Sequence, residues 1–282
     1  MCRFFALRSL VPARVDCALV RGSNSLAVQS QCDRQGKTNA HGWGVLCYDE
    51  IARLEPRPPS SLTRSTAAAH SDPQFSEIAA AARGRTVLAH VRNATVGGAS
   101  MENTHPFVWR HWAFMHNGTA EGFSELRGRL VQETTPELQA RVVGSTDSEQ
   151  IFYWLLSRGQ AAGLPVDRAG ENAEKWAAVV ARATSDLAGW SERAAPDVVS
   201  KLNFVLTDGV LLVATRWNQT LSYHAEPRAC AVCADHHAVA SQEEYRAVAV
   251  YSESTHDEHE IEVPPCGVFW TDADVAPHAE AI

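Results

Sequence analysis

Cysteine is the second residue of the 282-residue chain, in Met1-Cys2-Arg3-Phe4-Phe5. Removal of the initiator methionine, which a small neighbour at position 2 favours, would leave a thiol and a free α-amino group on one residue. Together they make a nucleophile and its base. An α-amine has a reference pKa of ~7.7 to 8.0 and a cysteine thiol ~8.5, so near neutrality the amine can take the thiol proton, directly or through a water, and the thiolate attacks. Further polar residues close apolar runs. His90-Val91-Arg92-Asn93-Ala94-Thr95 ends one, Thr104-His105-Pro106-Phe107 follows it, Trp112-Ala113-Phe114-Met115 runs into His116-Asn117-Gly118, and Ser145-Thr146-Asp147-Ser148-Glu149 precedes a helical pattern. Taken singly, Asn117-Gly118 is a hairpin turn, Arg92 a strand-end charge and Asp147 a helix cap. A histidine at an apolar strand end, such as His105 or His116, is by itself a packing residue.

The elements that must position these groups follow from periodicity and punctuation. Residues 3–8 form a strand that would hold the terminus rigid. Residues 12–20 form a short helix with Pro12 in its first turn, and 22–39 an extended surface loop. Residues 41–48 form a strand in which Gly42 and Gly44 mark a close backbone approach. Asp49-Glu50 turns a hairpin into 51–55, after which the proline and serine cluster at 56–65 breaks regular structure. Residues 74–83 form a helix with Gly84 at its C-cap, and 86–92 a buried strand. Later, 149–156 is helical, 163–170 is a turn-rich connection, and 171–187 is a long helix. Residues 201–206, 210–215 and 221–224 are strands. Strands, then helices, then strands suit a layered α+β sandwich.

Composition narrows the class. At 45% hydrophobic residues the chain can bury a large core, and a net charge of -8 with no dense Lys/Arg cluster offers no footprint for nucleic acid or an anionic membrane surface. A small-molecule substrate is the expectation. No apolar stretch is long enough to span a bilayer and no signal-peptide pattern follows Met1, which points to the cytoplasm. Seven cysteines, an odd number in a chain with ample core, point to reduced thiols.

The N-terminal cysteine and the four later motifs, in this order, resemble the class II glutamine amidotransferases, which belong to the N-terminal nucleophile hydrolases. The resemblance is strong over the first 160 residues. The Met-Cys-Arg-Phe-Phe opening and Leu202-Asn203-Phe204-Val205-Leu206-Thr207-Asp208-Gly209 are similar to a branch of stand-alone glutaminase-like proteins that includes the γ-glutamyl amidohydrolase of ergothioneine biosynthesis. It implies a four-layer αββα sandwich with two antiparallel sheets between helix layers. It also implies one amidotransferase domain over residues 2–282, with core motifs in 2–160 and the sandwich completed by 161–282. Neither cofactor nor metal is implied. The implied reaction cleaves a γ-glutamyl amide through a Cys2 thioester, releasing glutamate and ammonia or an amine.

By the same resemblance, the Asn117 side-chain amide and the Gly118 backbone N–H hold the oxyanion, a role worth on the order of 3 kcal/mol per donor. Arg92 grips the α-carboxylate with two prongs and Asp147 accepts from the α-ammonium. Thr95 and the backbone at Val96 line the pocket. His116 counts with the substrate-binding residues in a supporting role, as His105 supports the site. The branch usually shows Ala-Asp-Gly-Trp-Gly where this chain has Ala40-His41-Gly42-Trp43-Gly44, which leaves a role of position 41 on the acceptor side open. The charged stretch 256–260, which follows the Ser-Glu pair Ser252-Glu253, would lie in a loop near the pocket that reads the leaving group. Free glutamine, a larger γ-glutamyl amide, and an ammonia-accepting synthase subunit all stay open, as does oligomeric state. Two rivals remain. One is an acylase of the cholylglycine and penicillin V type, which lacks the His-Asn-Gly and Ser-Thr-Asp motifs. The other is a non-catalytic thiol or metal-binding protein built on Cys230 and Cys233 with Asp235, His236 and His237 nearby.

Overall fold

The computed structural model of the protein describes residues 2–49, 56–225, 245–254 and 259–282. In chain order, β1 (Arg3–Arg14), α1 (Leu26–Gln31), β2 (Trp43–Tyr48), β3 (Ser61–Ser65), α2 (Pro73–Ala81), β4 (Arg83–Val91), β5 (Phe107–Trp109) and β6 (Trp112–Thr119) come first. Four helices follow, α3 (Phe123–Glu133), α4 (Pro136–Gln139), α5 (Asp147–Ala161) and α6 (Ala173–Ala194). The chain then returns to strands, β7 (Lys201–Thr207), β8 (Leu212–Arg216), β9 (Ser222–Ala225), β10 (Ala247–Tyr251), β11 (Ile261–Glu262), β12 (Gly267–Thr271) and β13 (Pro277–Ala281).

These strands form two antiparallel sheets, ordered β11-β9-β10-β1-β4-β2-β3 and β13-β12-β8-β7-β6-β5. Both faces of each sheet are covered, and the sequence shows why. Successive side chains on a strand point to opposite faces. In β1, Phe5 and Leu7 join a core with Leu26 of α1 and Phe75 of α2, while Phe4 and Ala6 join a second core that faces the other sheet. In β6, Trp112 and Phe114 pack with α5 and α6, while Ala113 and Met115 fill the space between the sheets. A strand buried on both faces reads as a continuous apolar run, and each large apolar side chain removed from water contributes roughly 1.5–3 kcal/mol. The result is the αββα sandwich that the resemblance implied.

Helix burial sets the outer layers. In α6, Trp176, Ala177, Val180, Ala183, Thr184, Leu187 and Trp190 recur at helical spacing and are buried. The Arg129 guanidinium of α3 lies 3.6 Å above the Trp190 ring. Gly159 of α5 is required where it stands, because a Cβ there would come within 2.0 Å of the Trp176 ring.

Several boundaries differ from the sequence reading. The first strand runs through Pro12 to Arg14, with a register shift between Arg8 and Ala13 that accommodates a residue lacking an N–H. The helix expected over 12–20 is only a π-helical turn, Cys17–Arg21. The expected loop 22–39 contains α1, and the expected break at 56–65 contains β3, which pairs with β2. Helix α2 ends at Ala81, because the chain enters β4 at Arg83; Gly84 lies within that strand, where a Cβ would be 2.9 Å from the Tyr48 carbonyl oxygen. The expected hairpin arm at 51–55 lies outside the described residues.

Candidate active site

Strand parity gathers the polar residues. Cys2 precedes β1 with the parity of Phe4 and Ala6, His90 and Arg92 continue the Leu88 face of β4, and Asn117 continues the Ala113 and Met115 face of β6. All four therefore belong to the inter-sheet side. The two sheets meet here: β1 and β4 pair with Arg3 opposite Val91 and Phe4 opposite His90, and His90 Nε2 lies 3.3 Å from the His116 carbonyl oxygen in β6. Arg3 has the opposite parity and faces the helices.

Cys2 is buried, and the Asn93 N–H donates to its Sγ at 3.3 Å. Burial pushes the thiol pKa up, the Asn93 amide and the Arg92 charge draw it back, and the Asp147 carboxylate adds to the rise. Those contributions place the Arg92 and Asp147 charges within electrostatic reach of the sulfur. The residue is held from the other side by Arg3, which donates to the Cys2 carbonyl at 3.0 Å and bridges two buried carboxylates, Asp33 and Glu253, at 2.9 Å each. Ser252 Oγ accepts from Phe4 N at 2.8 Å. Ser252-Glu253, which precedes the stretch expected to read the leaving group, thus fastens the first strand.

Asn117 is fully buried, and neither its side-chain oxygen nor its nitrogen has a hydrogen-bond partner. An unmet buried polar group costs about 1–3 kcal/mol, so a folded chain keeps one only where something else repays it. Beside it, Gly118 admits no side chain: a Cβ would lie 1.7 Å from the Lys201 carbonyl oxygen of the paired β7. Behind it are buried histidines held neutral. Burial lowers His90 to about 3, takes His105 well below its ordinary value and lowers His116 as well. His90 and His105 stack with centroids 4.3 Å apart.

A nucleophile at the chain's start and an unmet amide on the facing sheet can now be set beside known proteins. The family model described as Glutamine amidotransferases class-II matches residues 1–265. The chain belongs to the class II glutamine amidotransferases. Probable glutamine amidotransferase DUG3 of Saccharomyces cerevisiae is 31% identical over 229 residues, 77% of this chain and 64% of DUG3, so the chain spans less than two thirds of that relative's length. Gamma-glutamyl-hercynylcysteine sulfoxide hydrolase of Mycobacterium tuberculosis is 30% identical over 201 residues, 70% of this chain and 69% of that one. The solved structure of a glutamine aminotransferase class-II domain protein from Silicibacter pomeroyi superposes over the whole of both chains with TM-score 0.63 at 24% identity, a likeness of fold.

Within this family member, the remaining expected residues sit as follows. Arg92 is buried, and its guanidinium donates to the carbonyls of Gly98 at 2.9 Å, Val96 at 3.0 Å and Gly97 at 3.3 Å. The loop after β4 is therefore wrapped on the arginine, with Val96 supplying one of the carbonyls. Thr95 is exposed on that loop, and its hydroxyl meets Thr119 Oγ1 at 2.8 Å. Asp147 opens α5, but the cap is Thr146, whose hydroxyl accepts from Glu149 N at 3.2 Å. Asp147 instead accepts from Ala120 N and Ser148 N, each at 2.8 Å, tying the end of β6 to the helix start.

Asn103, which sequence reasoning passed over, and His41, whose role it left open, knit the same loops. Asn103 accepts from Ser145 N at 2.9 Å and donates to Gly98 O at 3.1 Å, so the Arg92 loop and the turn before α5 move as one. His41 Nδ1 accepts from Ala94 N at 3.0 Å. The two glycines flanking Trp43 behave as read: a Cβ on Gly44 would lie 2.1 Å from the His105 carbonyl oxygen. Cys230, Cys233, Asp235, His236, His237 and residues 256–258 lie outside the described residues. His259, at the end of that stretch, is in ring contact with His224 at 5.8 Å.

Proposed function

We propose that the protein is a γ-glutamyl amidohydrolase acting through a thioester on Cys2, once Met1 has been removed. The thiolate attacks the γ-carbonyl, and the Asn117 side-chain N–H and the Gly118 backbone N–H take the oxyanion. The α-amine of Cys2 returns the proton to the leaving nitrogen, and water then hydrolyses the acyl-enzyme to glutamate. Arg92 takes the substrate α-carboxylate in place of the loop carbonyls it holds, and Asp147 takes the α-ammonium. Thr95 and the Val96 backbone close over them, and His116 supports Asn117 from the next position on β6.

The observation that carries the reading is the buried, doubly unpaired Asn117 amide on the same inter-sheet face as Cys2. The family match and the γ-glutamyl activity named for the mycobacterial relative support it over a cholylglycine-type acylase. A single domain over residues 2–282, in the cytoplasm, is part of the same reading. Free glutamine with an ammonia-accepting partner is the second form of the same chemistry.

Intact mass spectrometry after exposure to 6-diazo-5-oxo-L-norleucine tests it. One adduct, on Cys2 of a chain lacking Met1 and absent from Cys2→Ala, is the expected result. An adduct that survives in Cys2→Ala, or wild-type turnover by that variant, refutes it. A correctly processed chain that resists the probe yet cleaves γ-glutamyl dipeptides would select the larger substrate.

A further inference from the structure

Ser148 Oγ lies 3.0 Å from His116 Nδ1 and 3.1 Å from Asp147 Oδ1. A hydroxyl has one proton to give, so it can donate to only one of them. The other ring nitrogen decides which. His116 Nε2 is 2.9 Å from the Lys201 carbonyl oxygen, which can only accept, so the ring proton sits on Nε2. A ring kept neutral by burial then has a bare Nδ1, and the edge contact with Phe204, 4.9 Å between centroids, fixes its plane. Nδ1 takes the serine proton. Asp147 is left with one backbone donor on each oxygen, Ser148 N on Oδ1 and Ala120 N on Oδ2, and a carboxylate has lone pairs for about two more.

Resting on the assignment of Asp147 to the α-ammonium, we propose that His116 and Ser148 are positioning residues that keep the Asp147 carboxylate open to substrate: the imidazole draws off the one hydroxyl proton that would otherwise occupy Oδ1. The pair thereby sets how strongly the pocket demands an α-amino group. A γ-glutamyl amide gains from this arrangement, whereas a glutaryl amide, identical but for the missing amino group, does not.

The consequence is unusual for a supporting contact, because damage at His116 is repaired by further truncation at Ser148. In His116→Leu the hydroxyl turns to Asp147 Oδ1 and competes with substrate. KM for L-γ-glutamyl-p-nitroanilide then rises about tenfold relative to the KM for glutaryl-p-nitroanilide, the effect of one hydrogen bond to a charged group. In His116→Leu/Ser148→Ala the competitor is gone and KM for the glutamyl substrate returns toward the wild-type value. A double variant no better than the single one overturns the proposal, as does an equal KM rise for both substrates. Should His116→Leu fail to fold, 15N NMR of histidine-labelled wild-type protein still decides: the Nε2–H tautomer at His116 is expected, and an Nδ1–H or doubly protonated ring refutes it. A wild-type enzyme inert toward both substrates would count against the γ-glutamyl reading instead, and would leave the tautomer measurement standing.

Discussion

On the helix side of the first sheet, Arg3 is surrounded by acceptors: the Cys2 carbonyl, Asp33 and Glu253, with Glu253 also accepting from Arg34 N at 3.2 Å. On the inter-sheet side of the same few residues, Asn117 has an oxygen and a nitrogen that meet nothing, and His105 has two unmet ring nitrogens. Both regions are buried and polar. The first leaves over one atom, Glu253 Oε1. Saturated polar groups hold a shape, whereas unsaturated ones are open to a ligand, and Cys2 shares the inter-sheet side with the second kind while its carbonyl is held by the first. A buried polar residue is thus informative about function only after its partners have been counted.

Arg3→Met should give the largest effect on stability. It leaves two carboxylates buried without their cation, at a cost of about 3–5 kcal/mol by chemical denaturation, and an unchanged midpoint would erase the contrast. Asn117→Ala should do the reverse. Its kcat should fall on the order of 10²- to 10³-fold while the thermal midpoint holds or rises, because two unpaired buried atoms are removed. A melting loss like that of Arg3→Met would show that Asn117 is structural.

Acid should sharpen the comparison next. The clamp around Arg3 holds no histidine, whereas His90, lowered to about 3, sits on the inter-sheet side, and His111, lowered to about 4, lies in the turn between β5 and β6 of the other sheet. With folded pKa values below the unfolded 6.5, the unfolded chain binds more protons, so stability falls as pH drops from about 6.5 toward 4, by up to about 1.4 kcal/mol per unit for His90 and by less for the half-screened His111. Asp208, raised to about 6 chiefly by burial, works the other way between about 4 and 6 and offsets one of them. Urea midpoints at pH 7, 6 and 5 should decline, and His90→Asn should flatten the decline; a slope unaffected by that change would move the acid sensitivity elsewhere. The smallest effect is expected at Thr95→Ala, which loses one exposed hydroxyl contact and should cost less than about 1 kcal/mol in a thermal melt.

What the sequence made legible was what a short period or a local motif encodes. Alternation in residues 3–7, 86–92 and 112–117 suffices to place Cys2, Arg92 and Asn117 on one face, and glycines 42 and 44 announced a close approach that the structure places at Ser65, Thr104 and His105. The clamp was illegible, because Arg3 meets Asp33 at thirty residues' remove and Glu253 at 250, and no local pattern encodes pairings so distant. The helix in 22–39 was hidden by polar composition that its packing against the first sheet overrides. Asp147 as a cap was a near miss by one residue. Thr146 has the extended backbone a cap needs, and Asp147 is already helical.

The first strand lies between β4 and β10, and β10 ends at Tyr251. A nascent chain therefore exposes β1 long before β10 exists to pair with it. Pairings so distant along the chain are slow to form and leave early segments exposed meanwhile. During synthesis Cys2 therefore waits for a strand far along the chain before its shelter is complete, so translation speed and the cell's redox state bear on how much folded protein a given amount of message yields.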